Sequence, residues 1–402
     1  MAQAGGPLSH LTVLDLTHHI AGPYCTGLLA GLGAEVIKVE RPGAGDPSRS
    51  VGPFPGDVPH LEKSGLFLYL NQSKKSVTLN LQAQAGVEIL RRLLLEADIL
   101  VENFHPRVMP SLGLDYQALE RLNRRLVMTS ISNFGQTGPY RDWKATDMTL
   151  AAMSGLMHES GEPGQEPLRL SANIVQFEAG VYAFAATMTG LFHRETSGEG
   201  LHVDVSVFQA LAASLENAFS ALFFTGRIPT RVGSYNFGLG MLLPSEDAYV
   251  GIAGVGFRDQ QWQAFCELVG SPELINDPRF ATREARMASR DLMLTTIMGA
   301  VAGKKRDELF HEGQRLHLPI GAVYSIDEAF ADPHLQARGF WQDVEHPVAG
   351  TYRYPGPPFR MSTYDWPFGP APTLGQHNEE IYCGQLGYTQ DELVRLRQSN
   401  II

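Results

Sequence analysis

Residues 11–40 read LTVLDLTHHIAGPYCTGLLAGLGAEVIKVE. The apolar run Leu11–Leu16 ends before a turn-like AGPY, the stretch from Cys25 has helical character, and Glu35–Glu40 is a second apolar run. That is strand, helix, strand. The alternation continues downstream: SVTLNL (76–81), a helix-period segment over Gly86–Ala97, DILVEN (98–103), RLVMTSIS (125–132) and LHVDVSV (201–207). Strands alternating with helices predict an α/β fold whose parallel sheet is covered on both faces.

Further along, Phe177–His193 (FEAGVYAFAATMTGLFH) is a long, nearly all-apolar helical segment stopped by the glycines of RETSGEG, and it is expected at the centre of the fold. From about residue 225 to 325 the character changes to a Gly-rich loop (GSYNFGLG), an alternating strand (DAYVGIAG) and short amphipathic helices. The expected organisation is a large domain begun by 1–224, a smaller α+β domain over 225–325, and a return to the large domain over 326–402. Within that return, EHPVAGTYRYPGPPFRM (345–361) is rich in Pro and Gly and reads as an extended arm.

The chain has 402 residues, 32 basic against 43 acidic side chains and a formal charge of −11. Such a balance repels a phosphate backbone, so nucleic acid is not an expected partner. Three cysteines without CxxC spacing imply neither a disulfide framework nor a structural zinc site. No signal-peptide pattern opens the chain and no run approaches a membrane span, so the expectation is a cytoplasmic protein without a membrane partner. His18 and His19 are neighbours at a strand end and point apart, which does not make a metal site, and no metal is expected.

Glu40 closes the second strand where dinucleotide enzymes place a ribose-binding acid, but the first turn reads THHIAGPYC rather than GxGxxG. No GxxxxGK[ST] loop is present either. Basic residues do gather near strand ends: Lys38, Arg41 and Arg49, then Lys74 and Lys75, Arg107, and Arg141 with Lys144. On an acidic chain that placement suits a phosphorylated small molecule.

Several longer motifs point the same way. AGPYCTGLLAGLGAEVIKVERPGAGDPSR (21–49), LNQSKKSVTLNL (70–81), ADILVENFHP (97–106), SISNFGQTGPY (130–140) and HRETSGEGLHVDVS (193–206) resemble, in order, the family III CoA-transferases. That group includes formyl-CoA and carnitine CoA-transferases and α-methylacyl-CoA racemase. The resemblance runs on through DPHLQARGFWQDVEHPVAG and APTLGQHNEEIYCGQLGY. It implies a Rossmann-like large domain, a small inserted domain, and two subunits interlocked as a dimer. It also implies CoA or acyl-CoA as substrate, held through Arg41, Lys74, Asn103, Phe104 and Lys144, with a carboxylic acid as second substrate. One basic position of the family, after the ENF motif, is Ser111 here.

The family's nucleophile is an aspartate just before the long helix, and counting back from Gly180 lands on Gln176. A carboxamide cannot form the mixed anhydride and enzyme thioester of CoA transfer, although it can donate a hydrogen bond to an oxyanion. The racemase histidine corresponds to Thr146, beside Asp147. Three accounts stay open. Glu178 replaces the nucleophile, although a two-residue shift along a helix turns the group by about 200°; or a homologous partner subunit supplies the aspartate, making a heterodimer; or a homodimer binds CoA thioesters and performs isomerisation, elimination or no chemistry. The glycines of GSYNFGLG, Gly238 and Gly240, are candidates for a lid. No additional arginine near Gln176 suggests a dicarboxylate site.

Overall fold

In a computed structural model, which describes residues 5–236 and 240–402, the chain divides into two compact units. One runs to Leu156 and includes Arg169–Phe219 and Gln336–Ile402; the other comprises Met157–Leu168 and Ser220–Leu335.

The first unit is built on six strands: β1 (Thr12–Asp15), β2 (Glu35–Glu40), β3 (Lys75–Thr78), β4 (Ile99–Glu102), β5 (Val127–Ser132) and β6 (His202–Ser206). They lie side by side in the order β3-β2-β1-β4-β5-β6, and every pairing is parallel. This is the doubly wound order of dinucleotide-binding folds, with its topological switch between β1 and β4. Val13, Leu14, Ile99, Leu100 and Val101 have no exposed surface, which explains why these strands read as continuous apolar runs.

The helix after β1 spans Ala21–Gly31 and so begins within AGPY rather than after it. Pro23 lies in the first turn, where a missing N–H breaks no intrahelical bond. The central helix, Ile174–Ser197, begins three residues before the expected Phe177 and ends at Gly198, whose φ of 77° only glycine adopts freely. Gln176 is therefore inside the first turn. Gly180 lets this helix meet the first one, because a Cβ there would stand 2.7 Å from the Ala21 carbonyl oxygen. The central helix buries one stripe only: Val175, Ala179, Ala183, Thr187 and Leu191 are covered, while Val181, Tyr182 and Phe192 are exposed.

The expected extended arm is partly a hairpin. Strands β11 (Trp341–His346) and β12 (Gly350–Pro355), numbered after the four strands of the second unit, pair antiparallel, so 345–361 turns back at Pro347–Ala349 before extending. Val344 and Tyr354 of this hairpin pack with Phe67, Leu68 and Ala371. The segment beyond closes the β3 edge: Asn378 Oδ1 accepts from the Thr78 N–H at 2.8 Å, Tyr382 Oη donates to the Thr78 carbonyl at 2.7 Å, and the Asn80 N–H donates to the Ile401 carbonyl at 2.7 Å.

The second unit carries a four-stranded antiparallel sheet of β7 (Tyr235–Asn236), β8 (Gly240–Pro244), β9 (Tyr249–Ile252) and β10 (Ile320–Ala322). Its core gathers Trp262, Phe265, Phe280, Met293 and Ile297. Among the described residues no single helix is long and apolar enough to cross a membrane.

Candidate active site

The strand ends on the two sides of the switch point are joined by one side chain. Asn103, directly after β4, accepts from the His18 N–H and donates to the His18 carbonyl, both at 2.8 Å. Its amide is spent on holding the loop after β1, and Phe104 meets the His18 ring edge-on at 5.3 Å. The Phe104 N–H donates to Glu102 Oε2 at 2.8 Å. Glu102 is buried, and burial pushes its carboxyl up to about 7 against hydrogen bonds from Ser130 and that N–H, with Asp204 adding to the rise.

A cavity of about 440 Å³ opens beyond β4 and β5, in the crevice where this fold class places ligands. Asn103, Phe104, Arg141, Trp143, Lys144 and Gln176 are among its walls. Lys144 is exposed and supplies an ammonium, while Trp143 stacks on Tyr140 at 4.0 Å and offers an indole face. Next to these wall residues in sequence, Arg107 Nε donates to Asp142 Oδ1 at 2.9 Å, tying the two loops together. Cation and aromatic face together suit a nucleotide with phosphates.

Other expected ligands of CoA lie elsewhere. Arg41 is exposed at the end of β2 and does not line this cavity. The Lys74 ammonium is buried and bonded to Asp15 Oδ2 at 3.0 Å, Thr26 Oγ1 and Asn71 Oδ1 at 2.8 Å, and the Pro23 carbonyl at 2.9 Å. Burial, with Lys38 nearby and Asp15 opposing, brings it down to about 8. Burial would raise the Asp15 carboxyl, yet Lys38, Lys74 and the Thr17 and Thr26 hydroxyls hold it well below the usual range. Arg49 is likewise structural: Nε and Nη2 reach the two Glu40 oxygens at 2.7 and 2.8 Å, and Nη2 also reaches the Pro372 carbonyl at 3.1 Å. Glu40, the residue a dinucleotide enzyme would use on ribose, is fully engaged.

Gln176 Nε2 donates to Asp147 Oδ1 at 2.8 Å. The other oxygen, Asp147 Oδ2, is buried and has no hydrogen-bond partner. Asp147 borders a second cavity, of about 310 Å³, with Thr146, Arg169, Asn173 and Val175. Thr146 lines both cavities, and Gln176 of the larger one is hydrogen-bonded to Asp147 of the smaller one. Arg169 donates through Nε to the Leu170 carbonyl at 3.4 Å and faces no acid in an ion pair among the described residues. Against the expectation of no additional arginine near Gln176, Arg169, ahead of the helix, shares a cavity with Asp147, the hydrogen-bond partner of Gln176. Glu178 lines neither cavity, and its Oε1 accepts from the Ser214 hydroxyl. Phe177 turns away toward Tyr24 and Tyr69, at 4.8 and 6.4 Å between ring centres. Of the lid glycines, Gly240 opens β8, and Gly238 lies outside the described residues. No group of three His, Cys, Asp or Glu suited to a metal ion is found among the described residues.

The first unit is thus a doubly wound α/β unit with a cationic, aromatic cavity beyond β4 and β5. Residues 8–378 match the model of CoA-transferase family III, and the chain belongs to that family. It is 34% identical over 370 residues to acetyl-CoA:oxalate CoA-transferase of Acetobacter aceti, covering 91% of this chain and 92% of that protein. It is equally similar, 34% over 406 residues and 98% of each chain, to succinyl-CoA:(R)-benzylsuccinate CoA-transferase subunit BbsE of Thauera aromatica. The crystal structure of a CAIB/BAIF family protein from Brucella suis superposes with a TM-score of 0.83 at 32% identity, over 94% of this chain and 99% of that one.

Proposed function

We propose that the chain binds CoA thioesters in the larger cavity and takes part in CoA transfer between an acyl-CoA and a dicarboxylic acid. The observation that carries this reading is the Gln176–Asp147 hydrogen bond, which links a residue of one cavity to a residue of the other. One side offers Phe104, Trp143 and Lys144 to the nucleotide, and the other offers Arg169 to an acid. The relatives from Acetobacter aceti and Thauera aromatica are named for oxalate and benzylsuccinate, both dicarboxylic, and a guanidinium recognises such a carboxylate with paired hydrogen bonds. Arg41, exposed beyond β2, stays a candidate for an outlying phosphate of CoA, and Asn103 acts by positioning the Phe104 loop.

In this reading residue 176, where the family resemblance places an aspartate, is not the nucleophile. A carboxylate then comes from a homologous partner or from this chain. The similarity to a protein named as a subunit supports the first of these sources. The interlocked dimer is carried over from the family resemblance as part of this reading. Glu178 faces Ser214 instead of a cavity, which counts against it as the source within the chain.

The test is calorimetric titration of the purified chain with CoA, followed by CoA-transfer assays from succinyl-CoA to a panel of dicarboxylic acids. The assays are run alone and with a co-expressed homologue bearing the aspartate. Absence of CoA binding would overturn the reading.

A further inference from the structure

We infer that Asp147 is the carboxylate within this chain that captures the acyl group, with Gln176 as the residue that orients it. The inference rests on the CoA-binding reading above and takes the arm in which the chain carries its own nucleophile.

Four observations lead to it. Asp147 is hydrogen-bonded directly to the residue at the family's nucleophile position, Nε2 to Oδ1 at 2.8 Å. That bond leaves Oδ2 buried without a donor, and a buried anionic oxygen without a partner is costly unless function uses it. Asp147 borders the acid-side cavity while its partner Gln176 borders the nucleotide-side cavity, which places the pair where a thioester and an incoming acid would meet. The other acids nearby are less well placed: Asp142 is ion-paired with Arg107, Glu102 is buried at the end of β4, and Glu178 lines neither cavity.

The pair also explains why a glutamine is useful at 176. Two carboxylates at hydrogen-bond distance repel, whereas a carboxamide donates to one oxygen and fixes the plane of the other. Asp147 is the first residue of the helix Asp147–Met153, whose start is held by the capping box of Thr146 and Thr149, so its backbone is fixed as well.

The chemistry balances without a proton or an oxidant. A carboxylate oxygen of Asp147 adds to the thioester carbonyl carbon, the C–S bond breaks, and CoA thiolate leaves a mixed anhydride on Asp147. The thiolate then attacks the Asp147 carboxyl carbon, and the original acid departs as its carboxylate, leaving an enzyme-CoA thioester. An acceptor carboxylate reverses both steps, takes CoA and restores Asp147.

The full chain is incubated with succinyl-CoA, and separately with acetyl-CoA, quenched with hydroxylamine and mapped by peptide mass spectrometry. The expected result is a hydroxamate on Asp147, lost in Asp147→Asn and retained at residue 147 in Asp147→Glu. CoA titration of each protein reports folding and binding separately. A hydroxamate on Glu178 or another acid would sink the inference, as would no adduct from a chain that binds CoA; the latter leaves the partner-supplied arm standing. A wild-type chain that does not bind CoA would overturn the proposed function and this inference together.

Discussion

Gln176 and Asp147, from segments far apart in the chain, are joined by a 2.8 Å hydrogen bond that leaves one carboxylate oxygen bare. Truncating Gln176→Ala removes the donor that sets the plane of that carboxylate. Adduct formation is expected to slow about ten- to a hundredfold, the range for losing one hydrogen bond to a charged group. Single-turnover rates measured against acyl-CoA concentration should place the loss in the maximal rate more than in the half-saturating concentration.

Arg169 is predicted to govern the acid rather than the thioester. Arg169→Ala should raise KM for a dicarboxylic acceptor by about tenfold to a hundredfold, the value of one charge-assisted pair. The effect on the acyl-CoA KM should be much smaller. Steady-state kinetics with both substrates varied separates the two, and an equal rise in both would remove Arg169 from the acid site.

Trp143 and Lys144 are predicted to hold the nucleotide. Trp143→Ala and Lys144→Ala should each weaken CoA binding by about 1–2 kcal/mol, from lost stacking or a lost ammonium–phosphate contact. Titration at two salt concentrations distinguishes them, because the Lys144 contribution alone should shrink as salt rises.

Lys74 is predicted to matter for folding. Lys74→Met leaves Asp15 buried with less compensation, and removing one partner of a buried pair costs about 3–5 kcal/mol. Urea unfolding should show that loss. Unchanged stability with weakened CoA binding would restore Lys74 to the phosphate site.

Glu102 is predicted to make stability pH-dependent. Its folded carboxyl titrates near 7, above its ordinary value, so the folded state keeps a proton that the unfolded chain releases. Stability from this group is highest below the unfolded value, falls as pH rises toward 7, and is lowest above that. Glu102→Gln keeps an acceptor for the Phe104 N–H and removes the charge. The variant should gain on wild type as pH rises from 4 to 8, by an amount on the order of 3 kcal/mol at the upper end. Thermal unfolding across that range measures it.

The parallel sheet was legible because strands buried on both faces spell out as apolar runs, and the motifs placed Phe104, Lys144 and Gln176 at one cavity. Local reading failed where context decided. AGPY looked like a turn because Pro23 breaks helices elsewhere, but the first turn tolerates it. The hairpin Trp341–Pro355 was hidden among prolines because its register depends on pairing across a loop. Lys74 and Arg49 looked like phosphate ligands since their acids, Asp15 and Glu40, are supplied by other strands. Asp147 stands next to Thr146, the position that corresponds to the racemase histidine, yet only the folded chain turns it toward Gln176.

The contacts that seal the β3 edge with Asn378, Tyr382 and Ile401 carry a consequence for synthesis. While the ribosome is still translating 379–402, Thr78 and Asn80 have emerged but lack these partners, and the β3 edge is an open strand for hundreds of residues of elongation. All residues of the second unit are synthesised before Gln336. The first unit is completed only by Gln336–Ile402, so the long wait with an unsealed edge is the period in which chaperone capture and aggregation compete with folding.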